Sequence, residues 1–209
     1  MSVLTKKEIL VKIKDKTLWF DPPLDKFQLQ AHSIDLRIGF DFIIPRSWAL
    51  TKEGRVALKV DYGENKKYLE VISLKPGQFF EILPGEFIGI STLEKVKIPE
   101  GLMAVLYPRS SINRRGFSVD LSGIIDAGFE GNLLVPVRNN TTSQTIRIYP
   151  GERFCQVVLE DLSSQISKPE GRYQKANMSV GVLKERNQVE ERLVRKGDIK
   201  KLKKSFMLK

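Results

Sequence analysis

The sequence predicts an all-β fold, a barrel or jelly roll, with a short N-terminal helix and a helical, basic C-terminal tail. Two observations carry this. Residues 68–74, 78–83 and 87–92 are short apolar runs, separated or followed by Pro76-Gly77, Pro84-Gly85 and Pro99-Glu100-Gly101. Short strands at regular spacing with Pro-Gly turns describe closed antiparallel architectures. Between residues 30 and 44, Ile34, Leu36 and Ile38 alternate with Asp35, Arg37 and Gly39. That is the period of a strand with one buried and one polar face, and it projects Asp35 and Arg37 together. No GxGxxG and no P-loop occurs, so a phosphate site here is neither of the Rossmann nor of the Walker kind.

The bulk numbers agree with one globular domain plus extensions. The chain has 209 residues, 41% of them hydrophobic and 29% charged, enough to bury a proper core. No apolar run approaches the ~18 residues of a membrane span, and no signal-peptide pattern opens the chain. A cytoplasmic protein without membrane contact is expected. One cysteine, Cys155, excludes an internal disulfide, and FCQVVL around it reads as a buried strand. One histidine with one cysteine cannot build a His/Cys zinc site, which excludes the zinc-dependent deaminases. The net charge of +10 is uneven: residues 182–209 hold ten Lys/Arg against four Asp/Glu. The sequence therefore divides into a β domain, 1–181, and a basic helical extension, 182–209. The extension could pack, contact a subunit, or touch nucleic acid or a protein partner.

In chain order, Thr5 and Glu8 form a capping-box pattern, and Leu4, Ile9, Leu10 and Ile13 suggest an amphipathic helix. Asp21-Pro22-Pro23 ends that region in extended chain. Residues 46–67 are polar, a loop or hairpin excursion. Residues 102–107 are a strand that delivers the chain to Pro108, and 109–114 should be one helical turn. Residues 117–125 read as the next hairpin. Residues 133–137 form a strand interrupted by Pro136, a residue that cannot donate to a ladder and so marks an edge or bulge. Strands follow at 145–148 and 152–159. In the tail, Gly197-Asp198 reads as a helix stop and a new N-cap, with Ile199, Leu202 and Phe206 on one face.

The chemistry concentrates between Tyr107 and Asn139. Arg109, Ser110, Ser111, Arg114 and Arg115 fall within seven residues. Hydroxyls and forked guanidinium groups suit bound phosphate. Asp126 then stands alone in an apolar run before Gly128 and Gly131. A carboxylate beside such a cluster suits holding a metal ion or orienting water.

Four segments in order resemble the superfamily of trimeric dUTPases and dCTP deaminases: AHSIDLRIG, PRSS-x-x-R, SGIIDAGFEG and PGERFCQ. The resemblance covers roughly Ser33 to Tyr173. It implies a distorted β-barrel or jelly roll, and a homotrimer whose subunits share their sites. It implies phosphate contacts for Arg109, Ser110, Ser111, Arg114, Gln156 and Arg172. It assigns base or sugar contacts to Val119, Asp120, Leu121, Ser122, Gly123, Ile124 and Tyr173. Asp35 supports the arginines, Arg109 being its candidate partner, and Asp126 orients the attacking water. Mg²⁺ is carried mainly by the substrate's phosphates. GRYQ at 171–174 resembles the arm that folds over the nucleotide in the deaminase-like branch, although Lys175 replaces the usual glycine.

Two reactions share such a scaffold. The resemblance places the deaminases' proton-transferring glutamate ten residues beyond Asp126. Pro136 stands there and has no proton to exchange, and Glu130, the nearest acid, lies in the turn. The sequence therefore points to a dUTPase of the archaeal-type, deaminase-related branch, splitting dUTP to dUMP and pyrophosphate. The alternatives are a dCTP deaminase or bifunctional deaminase/dUTPase, and a non-catalytic nucleotide-sensing or interaction protein.

Overall fold

Glu8 closes the first helix as its spacing predicts. The Glu8 carboxylate accepts hydrogen bonds from the Thr5 amide and hydroxyl, both at 2.7 Å. Helix α1 then runs Lys6–Lys14 and buries Ile9. The structure, a computed structural model, describes residues 2–58, 69–120, 123–164 and 188–207.

The strands follow in order: β1 (Trp19–Asp21), β2 (Ile34–Pro45), β3 (Trp48–Thr51), β4 (Gly54–Ala57), β5 (Leu69–Ser73), β6 (Phe80–Ile82), β7 (Phe87–Lys97) and β8 (Leu102–Pro108). A single helical turn, α2 (Ser110–Asn113), precedes β9 (Phe117–Val119), β10 (Ile124–Ile125), β11 (Glu130–Asn139), β12 (Ile146–Ile148) and β13 (Arg153–Asp161). The tail forms α3 (Gln188–Arg195) and α4 (Ile199–Ser205). Asp198 caps α4, accepting from the Lys201 amide at 3.1 Å. Two units emerge: Met1–Pro45 with Leu69–Val180, and Arg46–Tyr68 with Gly181–Lys209. The second holds the β3–β4 hairpin and the two tail helices. Among the described residues, no helix is long and apolar enough to cross a membrane.

In the first unit, one nine-stranded sheet follows the order β10-β8-β13-β2-β7-β11-β9, with β1 on β7 and β5 on β2. All of these pairings are antiparallel. The connectivity forces the sheet to curl. Laid flat, its end strands β10 and β9 would be six spacings apart, about 29 Å. Only residues 120–123 join them in sequence, and five extended steps reach about 18 Å at most. Closure brings the ends together, and β9 touches β8. The core lies inside this curl, with Phe42 stacked on Phe80 at 4.6 Å and Phe117, Phe154 and Ile90 fully buried. This is the expected all-β, barrel-like fold.

Three local expectations are corrected. Residues 117–125 are not a hairpin paired on itself: β9 pairs with β11, and β10 pairs with β8. Strand order separates them, because each finds its ladder at a different end of the sheet. Pro136 does not interrupt its strand, since β11 runs ten residues and its irregularity lies between Asn132 and Leu134. Proline is tolerated because its missing donor faces β9, which ends there. Finally, the polar side of β2 is not solvated: Asp35 is buried, as are Ile34 and Leu36. At Gly39 an added Cβ would stand 2.8 Å from the Thr92 carbonyl and 2.9 Å from that of Ser91. The backbone of β7 leaves no room for a side chain there.

Candidate active site

The phosphate-type half is built where β8 ends. Strand β13 lies between β8 and β2, and its register aligns Gln156 with Tyr107 on one side and Asp35 on the other. Asp35 is 2% exposed. Its carboxylate meets Arg109 Nε at 3.0 Å and Arg153 Nη1 at 3.1 Å. Arg109 also donates to the Arg153 carbonyl at 3.0 Å. A buried carboxylate between two guanidinium groups fixes both, because each fork has a defined direction. Gln156 braces the same corner: its amide oxygen accepts from Ser33 Oγ at 3.1 Å, and its nitrogen donates to the Pro108 carbonyl at 3.3 Å.

Arg109 is thereby held at the start of α2. Its carbonyl accepts from the amides of Ile112 and Asn113. The first two amides of the turn, on Ser110 and Ser111, have no partner among the described residues. Both serines and Arg114 are exposed, and Arg114 makes no ion pair among the described residues. Hydroxyls, amides and a guanidinium thus face outward from one rigid corner, a donor set for phosphate oxygens.

Arg37 does not pair with Asp35, although both belong to the expected polar face of β2. It binds Asp25 at 2.6 Å and donates to the Gly151 carbonyl at 2.6 Å. Arg153 escaped the sequence reading. The signal available was the burial pattern around Asp35, since a buried carboxylate needs more than one cation or donor. Beneath the cluster, Glu94 is also buried and accepts from Gln28 Nε2 at 2.7 Å and the Arg37 amide at 3.0 Å. Gln28 links the two acids, donating to the Asp35 carbonyl at 3.0 Å.

Burial pushes the Asp35 carboxyl above the ordinary aspartate range, against the pull of Arg109, Arg153 and Arg37. Burial does the same to Glu94, against hydrogen bonds from the Arg37 and Glu94 amides and Gln28. A carboxyl raised in the folded chain binds its proton more tightly there than in the unfolded chain. Its contribution to stability is full below the unfolded value and is lost as pH rises through the folded one. Wild type is therefore expected to lose stability relative to Asp35→Asn as pH climbs from about 4 toward neutrality. Denaturant midpoints at several pH values check this, and parallel curves for the two proteins would contradict it.

The second half sits on the chain from 117 to 126. Val119 is buried, Ile124 is 71% exposed, and Asp126 is exposed. Asp120 lies opposite Pro136 in the β9–β11 register, which pairs Val119 with Val137, and its amide donates to the Pro136 carbonyl at 3.1 Å. Leu121 and Ser122 lie outside the described residues, as do Arg172, Tyr173 and the 171–174 arm. Within one subunit β9 touches α2, whereas Asp126 lies apart from the donor corner. Ile125 pairs with Ala104, and the antiparallel β10 carries the chain toward Leu102, away from Arg109. Asp126 is thus level with Met103, six residues from Arg109, or about 20 Å along β8.

Residues 3–162 match the family described as dCTP deaminase-like. The chain belongs to the dCTP deaminase-like family. A relative from Methanosphaera stadtmanae, named "dCTP deaminase, dUMP-forming", is 32% identical over 172 residues, covering 82% of this chain and 85% of that protein. One from Persephonella marina with the same name is 35% identical over 173 residues, covering 82% and 91%. The crystal structure of 2′-deoxycytidine 5′-triphosphate deaminase from Agrobacterium tumefaciens shares the fold, with TM-score 0.58 and 20% identity. It covers 75% of this chain and 48% of that one.

These relatives overturn the expectation of a dUTPase drawn from Pro136. That expectation weighed a single side chain. Facing residues of an antiparallel pair share a face, so the carboxylate of Asp120 lies on the face that Pro136 occupies. The missing acid at 136 does not strip that face of an acid.

Proposed function

We propose that the protein converts dCTP to dUMP, releasing ammonia and pyrophosphate. Two waters are consumed, one at C4 of cytosine and one at the α-phosphorus. The observation that carries this reading is the name shared by eight relatives, "dCTP deaminase, dUMP-forming", at 31–35% identity over 77–87% of this chain.

The site residues fit into two groups. Ser110, Ser111 and Arg114 take phosphate oxygens. Arg109 holds their turn in place through Asp35, and Gln156 braces the corner. The 119–124 segment receives the pyrimidine, and Asp126 orients and partly deprotonates the water that attacks phosphorus. Arg172 and Tyr173 belong to the reading as an arm over the nucleotide. Among the described residues no three His, Cys, Asp or Glu side chains converge. Mg²⁺ enters with the substrate, bound to the triphosphate.

The separation of Asp126 from the donor corner along β8 supports a shared site. The donor corner of one copy meets Asp126 of another, which a homotrimer satisfies at three equivalent interfaces. The test is incubation of the full chain with dCTP and Mg²⁺, resolving the nucleotides by anion exchange. dUMP is the expected product. Unaltered dCTP, or dCMP in its place, would contradict the reading.

A further inference from the structure

Breaking the C4–N4 bond of cytosine requires a group that accepts a proton and returns one. Residues 117–139 contain three carboxylates: Asp120, Asp126 and Glu130. Asp126 is assigned to the water at phosphorus. Glu130 lies at the far end of β11, six residues and about 20 Å from Pro136. Asp120 remains, and its setting suits the task.

Asp120 follows the last residue of β9, directly across the ladder from Pro136. Its neighbour Val119 and the facing Val137 are buried, whereas Asp120 is exposed and Pro136 half-buried. The carboxylate thus lies on the outer face, off the core. It is not loose there. Ser118 Oγ donates to it at 2.5 Å, and Arg138 Nε stands 3.4 Å away. Arg138 is itself steadied over the Phe87 ring at 5.7 Å. Pro136, lacking an N–H, returns no hydrogen bond to Asp120, and β9 ends at Val119.

We propose that Asp120 is the proton-carrying catalytic residue of the deamination step, a proposal that rests on the dCTP reading above. Water oxygen bonds to C4 while one of its protons passes to the Asp120 carboxylate and on to N3. The proton of the new C4 hydroxyl then passes through Asp120 to the amine. The C4–N4 bond breaks, ammonia leaves, C4=O forms, and Asp120 ends ionised as it began. Ser118 fixes the carboxylate's direction, and Arg138 balances its charge.

The test follows ammonia release from dCTP with Mg²⁺ in the full chain and in Asp120→Asn, Asp120→Glu and Asp120→Ala. In Asp120→Asn, kcat is expected to fall about 100-fold or more, with a much smaller change in KM. Asp120→Glu keeps part of the rate, and added formate restores part of it to Asp120→Ala, which a structural role would not produce. Asp120→Asn releasing ammonia at the wild-type rate overturns the proposal alone. So does a loss that neither formate nor glutamate relieves. Wild type that releases no ammonia from dCTP overturns the dCTP reading, and the proposal with it.

Discussion

Asp126→Asn is expected to lower pyrophosphate release about 10²–10⁴-fold. Asparagine keeps the shape and one acceptor but cannot take a proton from water. The side chain is exposed and outside the core, so the fold should hold, with stability within about 0.5 kcal/mol of wild type. Steady-state pyrophosphate release beside a melting curve separates the two effects. Full turnover in the variant would remove Asp126 from the chemistry. A large drop in melting temperature would assign it to the fold.

Arg109→Ala is expected to act through both fold and site. It removes one of the two guanidinium groups on Asp35, whose side chain is 3% exposed, and with it the bond to the Arg153 carbonyl. Leaving a buried carboxylate with one partner fewer costs about 1–3 kcal/mol. The same change releases the residue that starts α2. The serines then lose their fixed direction, and a misplacement near 1 Å costs turnover about 100-fold. Arg109→Lys should recover little, since a single ammonium cannot reach the Asp35 carboxylate and the Arg153 carbonyl in a fork. Urea midpoints and dUMP formation measure both parts. A lysine variant with wild-type values would show that charge alone suffices.

Local features were legible in the sequence because local chemistry decides them. The Thr5–Glu8 cap, the Pro-Gly turns, the single helical turn after Pro108 and the Asp198 cap all appear as read. The fold class was legible for the same reason. What depends on distant pairing was not. Arg153 reaches Asp35 only because β13 lies beside β2. Asp25 takes Arg37 from the partner that alternation suggested. Strands β9 and β10 join opposite ends of the sheet, a consequence of strand order that no periodicity encodes. The dUTPase expectation has a related origin. Pro136 was judged by its own side chain, while Asp120, sixteen residues earlier in sequence, faces it across the ladder.

Mixed oligomers of Arg114→Ala and Asp126→Asn subunits test at once whether dUMP is made from dCTP and whether two subunits build the site. Each variant alone lacks one half in every site and should form almost no dUMP. In random mixtures about a quarter of the sites pair an intact corner with an intact Asp126 from a neighbour. Recovery of dUMP formation to that level is the predicted result. Mixtures no more active than either parent, or dCTP left unconverted by wild type in the same assay, would contradict the account.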